Sequence, residues 1–98
     1  MRLAGGTCNR GRLEVLHASQ WGTVCDKHFS NADAAVFCRS MGKPHANAEA
    51  IMQFGGGSGL IHLDEVNCDG VLEWKSCRHS GWGVHACDHS QDVGLNCH

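Results

Sequence analysis

Ninety-eight residues, 42% hydrophobic and 18% charged, suffice for one core but not two, and a domain this small buries only about 60–65% of its unfolded surface. A formal charge of −2 without any Lys/Arg run excludes a tracker of phosphate backbones, and no apolar stretch approaches the roughly eighteen residues that span a bilayer. Seven cysteines and thirteen glycines in so short a chain read instead as a disulfide framework, and so as an oxidising compartment.

The opening Met1-Arg2-Leu3-Ala4-Gly5-Gly6 has no hydrophobic run of the kind that directs secretion. A disulfide protein needs such a signal, so residues 1–98 are expected to be a single domain cut from a longer parent, with Met1 an added residue. Arg12 to Leu16 alternates polar and apolar side chains, and Gln20 to Val24 does so in part. His17-Ala18-Ser19 between them fits a turn, which predicts a β-hairpin. From Ser30 to Met41 the pattern changes period. Ser30 or Asn31 can cap a helix, Asp33 suits its first turn, and Ala34, Phe37, Cys38 and Met41 fall on one apolar face. Gly42 supplies the left-handed end and Pro44 stops any continuation.

Gly55-Gly56-Gly57-Ser58-Gly59 follows as a flexible connector; no Gly-Lys-Ser/Thr follows it to make a phosphate cradle. Leu60 to Leu63 and Val93 to Cys97 read as short strands, with a turn-rich stretch between them that holds Cys68, Cys77 and Cys87. The fold class is therefore α+β: a small disulfide-rich domain in which a curved antiparallel sheet cradles one helix, with long loops. The cysteines stand at 8, 25, 38, 68, 77, 87 and 97, none close enough to its neighbour for a zinc-finger pair.

Taken in order, the segments Gly11–Leu16, Trp21–Asp26, Asp33–Gly42, Phe54–Gly59, Leu63–Cys68 and Cys87–Cys97 resemble a scavenger receptor cysteine-rich (SRCR) domain over nearly the whole chain. The resemblance is closest to the six-cysteine group of that family, with one extra cysteine. It implies the bridges Cys25–Cys87, Cys38–Cys97 and Cys68–Cys77, whereas spacing alone leaves all the pairings open. Cys8 has no partner in this pattern, because Lys43 stands after Gly42 where a cysteine would answer it. A free thiol is expected, with a disulfide-linked dimer through Cys8 as the alternative.

The resemblance also implies a Ca²⁺ or Mg²⁺ site built from carboxylates, the hard oxygen donors such cations need. Here Asp26 is kept, but Lys27 and Gln91 replace the two other acids. Calcium binding is expected to be weak, with a Lys27–Asp26 ion pair standing in for the ion. Asp64, beside Glu65, is the second candidate ligand, against the plainer reading of a hydrogen-bonded acid. His85, Cys87 and His89 would share one face of a strand, yet Cys87 is claimed by a disulfide, so zinc is disfavoured. Asp88-His89-Ser90 and Asp92 have the residue types of a serine triad but not its geometry, since chain neighbours seldom orient into one.

Trp21 belongs to the hairpin motif and is expected in the core. Arg78, His79 and Trp82 are the candidate ligand surface, a basic rim beside an aromatic, against an ordinary solvated loop. Eight histidines would reverse the sign of the net charge near pH 5. The function expected is extracellular, non-catalytic recognition in a secreted protein or membrane-receptor ectodomain. Polyanionic, microbial or protein ligands are the expected partners, as in innate pattern recognition. Nucleic acid binding and direct membrane insertion are not expected. An accessory domain of a larger secreted enzyme, such as a protease or amine oxidase, is the alternative.

Overall fold

Ten residues, Asn31–Ser40, form the one α-helix (α1) of the computed structural model, which describes all residues from 1 to 98. Ser30 Oγ accepts from the Asp33 N–H at 3.1 Å, and Asp33 Oδ2 accepts from the Ser30 N–H at 2.9 Å, a reciprocal capping box. Asp33 Oδ1 also takes the Cys68 N–H at 2.9 Å, tying the helix start to the cysteine-rich loop. At the other end Gly42, at φ 70°, donates to the Arg39 carbonyl and Lys43 donates to that of Cys38. That pair of bonds is the Schellman ending, which needs a left-handed residue after the cap.

Strands β1 (Arg2–Ala4), β2 (Arg10–His17), β3 (Gln20–Val24), β4 (Glu49–Ile51), β5 (Leu60–Leu63) and β6 (Gly94–Asn96) make one sheet in the order β4-β6-β2-β3-β5, with β1 also on β2. β2 and β3 form the expected hairpin, Leu16 opposite Trp21, closed by Ala18 and Ser19 in left-handed conformation (φ 52° and 64°). Both central residues of a tight two-residue hairpin turn take positive φ. The sheet is mixed: every named strand pair is antiparallel except β3–β5, which is parallel. The physical reason is the crossover. Helix α1 and β4 lie between β3 and β5, and a parallel neighbour needs such a long connection.

Leu13, Val15 and Val24 from the hairpin, with Leu63 and Leu95, lay their side chains against Phe29, Phe37 and Cys38. Gly22 lies on the inner face because the His62 ring occupies its side-chain space: a Cβ there would stand 2.4 Å from His62 Cδ2. Trp21, one residue earlier, therefore faces outward. It is 37% exposed and carries the Arg2 guanidinium 4.0 Å above its ring, so its expected place in the core is corrected.

Three disulfides, Cys25–Cys87, Cys38–Cys97 and Cys68–Cys77, hold this frame, and Cys8 is an exposed thiol. Cys38–Cys97 fastens α1 to the residue after β6, closing a separation of 59 residues. On the chain-entropy model each of the two long bridges contributes about 4 kcal/mol, and the nine-residue Cys68–Cys77 loop about 2.6 kcal/mol.

Candidate functional site

Each candidate cation ligand accepts a hydrogen bond from the chain itself. Asp26 Oδ2 accepts the Gln53 N–H at 2.7 Å, and Asp64, 4% exposed, accepts the Glu65 N–H through Oδ1 at 2.8 Å. Lys27 makes no ion pair with Asp26; its ammonium reaches the Ala86 carbonyl at 3.3 Å, which corrects that expectation. Gln91 serves as a cap, its Oε1 accepting the Asp88 N–H at 3.3 Å. Asp64 does approach the sulfurs of Cys25 and Cys87, but sulfur in a disulfide has no thiolate charge to offer an ion.

His79 and Trp82 come together as expected, and they bring others. The His17 ring stacks on Trp82 at 3.7 Å with planes 2° apart, while His62 and His79 approach it edge-on at 5.7 and 5.4 Å. Trp74 closes the cluster at 6.4 Å. Arg78 stays apart: its backbone bridges to Asn67, and its exposed side chain forms no ion pair.

Residues 85 to 89 are not a strand, so His85 and His89 do not share a ligand face. His85 Nδ1 accepts the Cys87 N–H at 3.2 Å. His89, opening a 3-10 turn at His89–Gln91, faces acceptors on both ring nitrogens. Nδ1 lies 3.0 and 3.1 Å from the two Asp92 oxygens, and Nε2 lies 3.0 Å from the Gly59 carbonyl. Only an imidazolium donates from both nitrogens. The Gly59 carbonyl first, then the Asp92 carboxylate, raise the pKa of His89 above its ordinary value against the effects of burial and Arg12. Ser90 Oγ meanwhile bonds to Asp88, away from the imidazole, so no triad forms.

The glycine-rich segment is pinned rather than a loose connector. Gly57 N–H donates to Asp92 Oδ2 at 2.9 Å, Gly55 N–H to the Asp92 carbonyl at 3.1 Å, and Arg12 Nη1 to the Gly55 carbonyl at 3.1 Å. Gly57 has to be glycine there, because a Cβ would sit 2.4 Å from Asp92 Oδ2. Arg12 and Arg2 also hold Glu14 at 3.0 and 2.7 Å. Burial opposes the charge on Glu14, and the two guanidinium bonds outweigh it, keeping its pKa low.

These contacts divide the charges unevenly. Glu14, Asp33, Asp64 and Asp92, four of the ten acids, are buried, whereas none of the eight Lys and Arg residues is. Sequence reasoning missed this division, and it missed a basic face as well. Two clefts of about 690 and 700 Å³ meet at Ser40, Trp74 and Lys75. Arg39 lines the first, and Arg2 and Lys43 the second. The Met1 ammonium in the second has its pKa lowered by burial, then by Arg2 and Lys75.

A disulfide-stapled mixed sheet over one helix is also what the comparisons with known proteins find. The family model for the scavenger receptor cysteine-rich domain matches residues 3–98, and the chain belongs to that family. It is 46% identical over 99 aligned positions to macrophage receptor MARCO of Mesocricetus auratus, covering 99% of this chain and 20% of that protein. The Mus musculus MARCO matches at 46% over 99% of this chain and 18% of its own length. The chain thus spans about a fifth of the length of these relatives. Among solved structures, the dimeric form of the SRCR domain of mouse MARCO superposes with a TM-score of 0.86 at 44% identity, covering 100% of this chain and 94% of that one. The third SRCR domain of murine neurotrypsin gives 0.86 at 39% identity, covering 98% and 92%.

Proposed function

We propose that this domain is an extracellular, non-catalytic recognition module whose ligands are polyanionic surfaces, microbial ones among them. The observation that carries the reading is the division of charge: four acids are buried with internal partners, while every Lys and Arg keeps contact with solvent. A ligand approaching the surface therefore meets a more positive face than the formal −2 implies. Arg10, Arg39, Lys75 and Arg78 are all exposed and free of ion pairs, so an anion can engage them without breaking an internal bond. The oxidising exterior suits the three disulfides, and no helix is long and apolar enough to cross a membrane. An accessory role inside a larger secreted protein is the second reading, favoured by the likeness to a domain that stands third in neurotrypsin.

Dextran sulfate binding, measured by calorimetry from pH 7.4 to 5.5 at fixed ionic strength with and without chelator, tests the proposal. Binding strengthens on acidification, as the histidine-rich surface gains positive charge, and it weakens with salt. Chelator leaves it unchanged. Affinity that is flat or falls on acidification, or that collapses with chelator at pH 7.4, overturns the mechanism; no binding at any pH overturns the function.

A further inference from the structure

Two leucines are largely exposed, and both stand beside cationic side chains. Leu72 is 67% exposed and lines the first of the two contiguous clefts; Leu16 is 48% exposed and lines the second. Between them the floor is Trp74 and Met41, half-buried side chains packed on the core. Around this apolar strip stand Arg2, Arg39, Lys43 and Lys75, half of the chain's eight Lys and Arg residues, against a single acid, Glu73.

We infer that this strip binds an anionic lipid, with the acyl chain along Leu72, Trp74 and Leu16 and the phosphate of the headgroup on the cationic rim. The inference rests on the recognition role proposed above and gives it a particular ligand class and place. Charge complementarity fixes the headgroup: a phosphate oxyanion gains charge-assisted hydrogen bonds from Arg39 and Lys75, neither of which is committed to an internal ion pair. The floor fixes the rest. Ser40 Oγ already accepts the Trp74 N–H at 3.2 Å, and the Lys43 ammonium already faces the Cys8 carbonyl. Trp74, Met41 and the two leucines present mainly apolar surface to an occupant, and an alkyl chain, unlike a peptide, brings no amides that need partners there. Sliding such a chain over Leu72 and Leu16 removes apolar surface from water, the term that the fold itself leaves unused there.

The probe is a single-chain, fourteen-carbon lysophosphatidylglycerol held below its micelle concentration, with binding followed by calorimetry and by tryptophan emission. The same lipid with a choline headgroup, glycerol 3-phosphate and an acidic amphipathic peptide are the comparison ligands. The anionic lysolipid binds, the choline form binds about tenfold more weakly, and glycerol 3-phosphate shows no heat at the same concentration. Leu72→Ser and Lys75→Glu, both at exposed positions, each weaken the lysolipid by about tenfold, while Arg10→Glu, outside the clefts, leaves it unchanged. Circular dichroism confirms that each variant is folded. Leu72→Ser keeps its dextran sulfate affinity, which separates this site from general polyanion binding. Equal lysolipid binding by wild type and Leu72→Ser overturns the inference, as does an equal loss from Arg10→Glu and Lys75→Glu. A peptide that displaces the lysolipid at lower concentration than the lysolipid itself requires also overturns it. Loss of dextran sulfate binding in every protein, with the lysolipid still bound, instead removes the polyanion reading and leaves the lipid site standing.

Discussion

Replacing His89 by alanine removes the one side chain that faces the buried Asp92 carboxylate with a positive charge. Asp92 has no exposed surface, and its remaining side-chain partner is the Gly57 N–H at 2.9 Å. Hydrogen bonds to charged groups are worth about 1.5–3 kcal/mol, and breaking a fully buried pair costs about 3–5 kcal/mol. The His89 side chain keeps 28% of its surface in solvent, so the loss falls at the lower end, about 2–3 kcal/mol. For a domain of this size that lowers the melting temperature by roughly 10–20 °C. The wild-type pH profile carries the sign of the effect. The folded pKa of His89 lies above its ordinary value. The imidazolium contribution is therefore complete below the unfolded pKa, about 6.5, and is lost as pH rises through the folded pKa. Glu14 acts oppositely: its lowered pKa gives stability that is present above the unfolded value and lost as pH falls through the folded one. Calorimetric unfolding from pH 4 to 9 is expected to show a stability maximum between the two. His89→Ala is expected to lose the decline on the alkaline side and keep the one on the acid side. A wild-type melting temperature that is flat above pH 6, or a variant that keeps the alkaline decline, refutes the imidazolium clamp. So does a nitrogen NMR spectrum showing a neutral His89 ring at pH 6.

At the Asp26 position, calcium titration of the wild type is expected to give little or no heat, because Lys27 and Gln91 stand where acids would complete the shell. Lys27→Asp/Gln91→Glu is expected to gain binding, and equal tight binding by both proteins disproves the argument. Cys8 in the native protein is expected to react with iodoacetamide while the six bridged cysteines do not, and Cys8→Ser is expected to abolish any covalent dimer. A non-reduced peptide map that joins Cys8 to one of those six overturns the assignment.

The helix was readable because everything that specifies it is local: a capping box within four residues, an apolar face with a 3.6-residue period, and a glycine at the required left-handed position. The hairpin was readable for the same reason. β1 and β4 were not, since three-residue strands such as Arg2–Ala4 and Glu49–Ile51 carry no period of their own and exist through pairing with β2 and β6. The direction of β5 was equally hidden: alternation predicts a strand but says nothing of which way its neighbour runs. Among site residues, His79 beside Trp82 was legible, but the stack of His17 on that indole joins positions far apart in the chain. The glycine segment looked loose because glycine brings no side-chain contacts. What fastens it is backbone bonding to Asp92, His89 and Arg12, which no composition reveals.

Charge is where composition misled most, and the reason is general. A formal count treats each carboxylate as if it faced the same solvent, yet folding sorts them. Asp33 goes inside to cap α1 and take the Cys68 N–H, and Asp92 goes inside to bind Gly57 and His89. Glu14 accompanies them, held by Arg2 and Arg12. Lys and Arg cannot follow alone, because an ammonium or guanidinium buried without a partner is costly and a long stem lets the charge stay in water. Four of the ten acids thus become internal fasteners while every base keeps contact with solvent. The contacts that stabilise a small, thinly cored domain are in this way the same contacts that leave its surface more positive than the formal count.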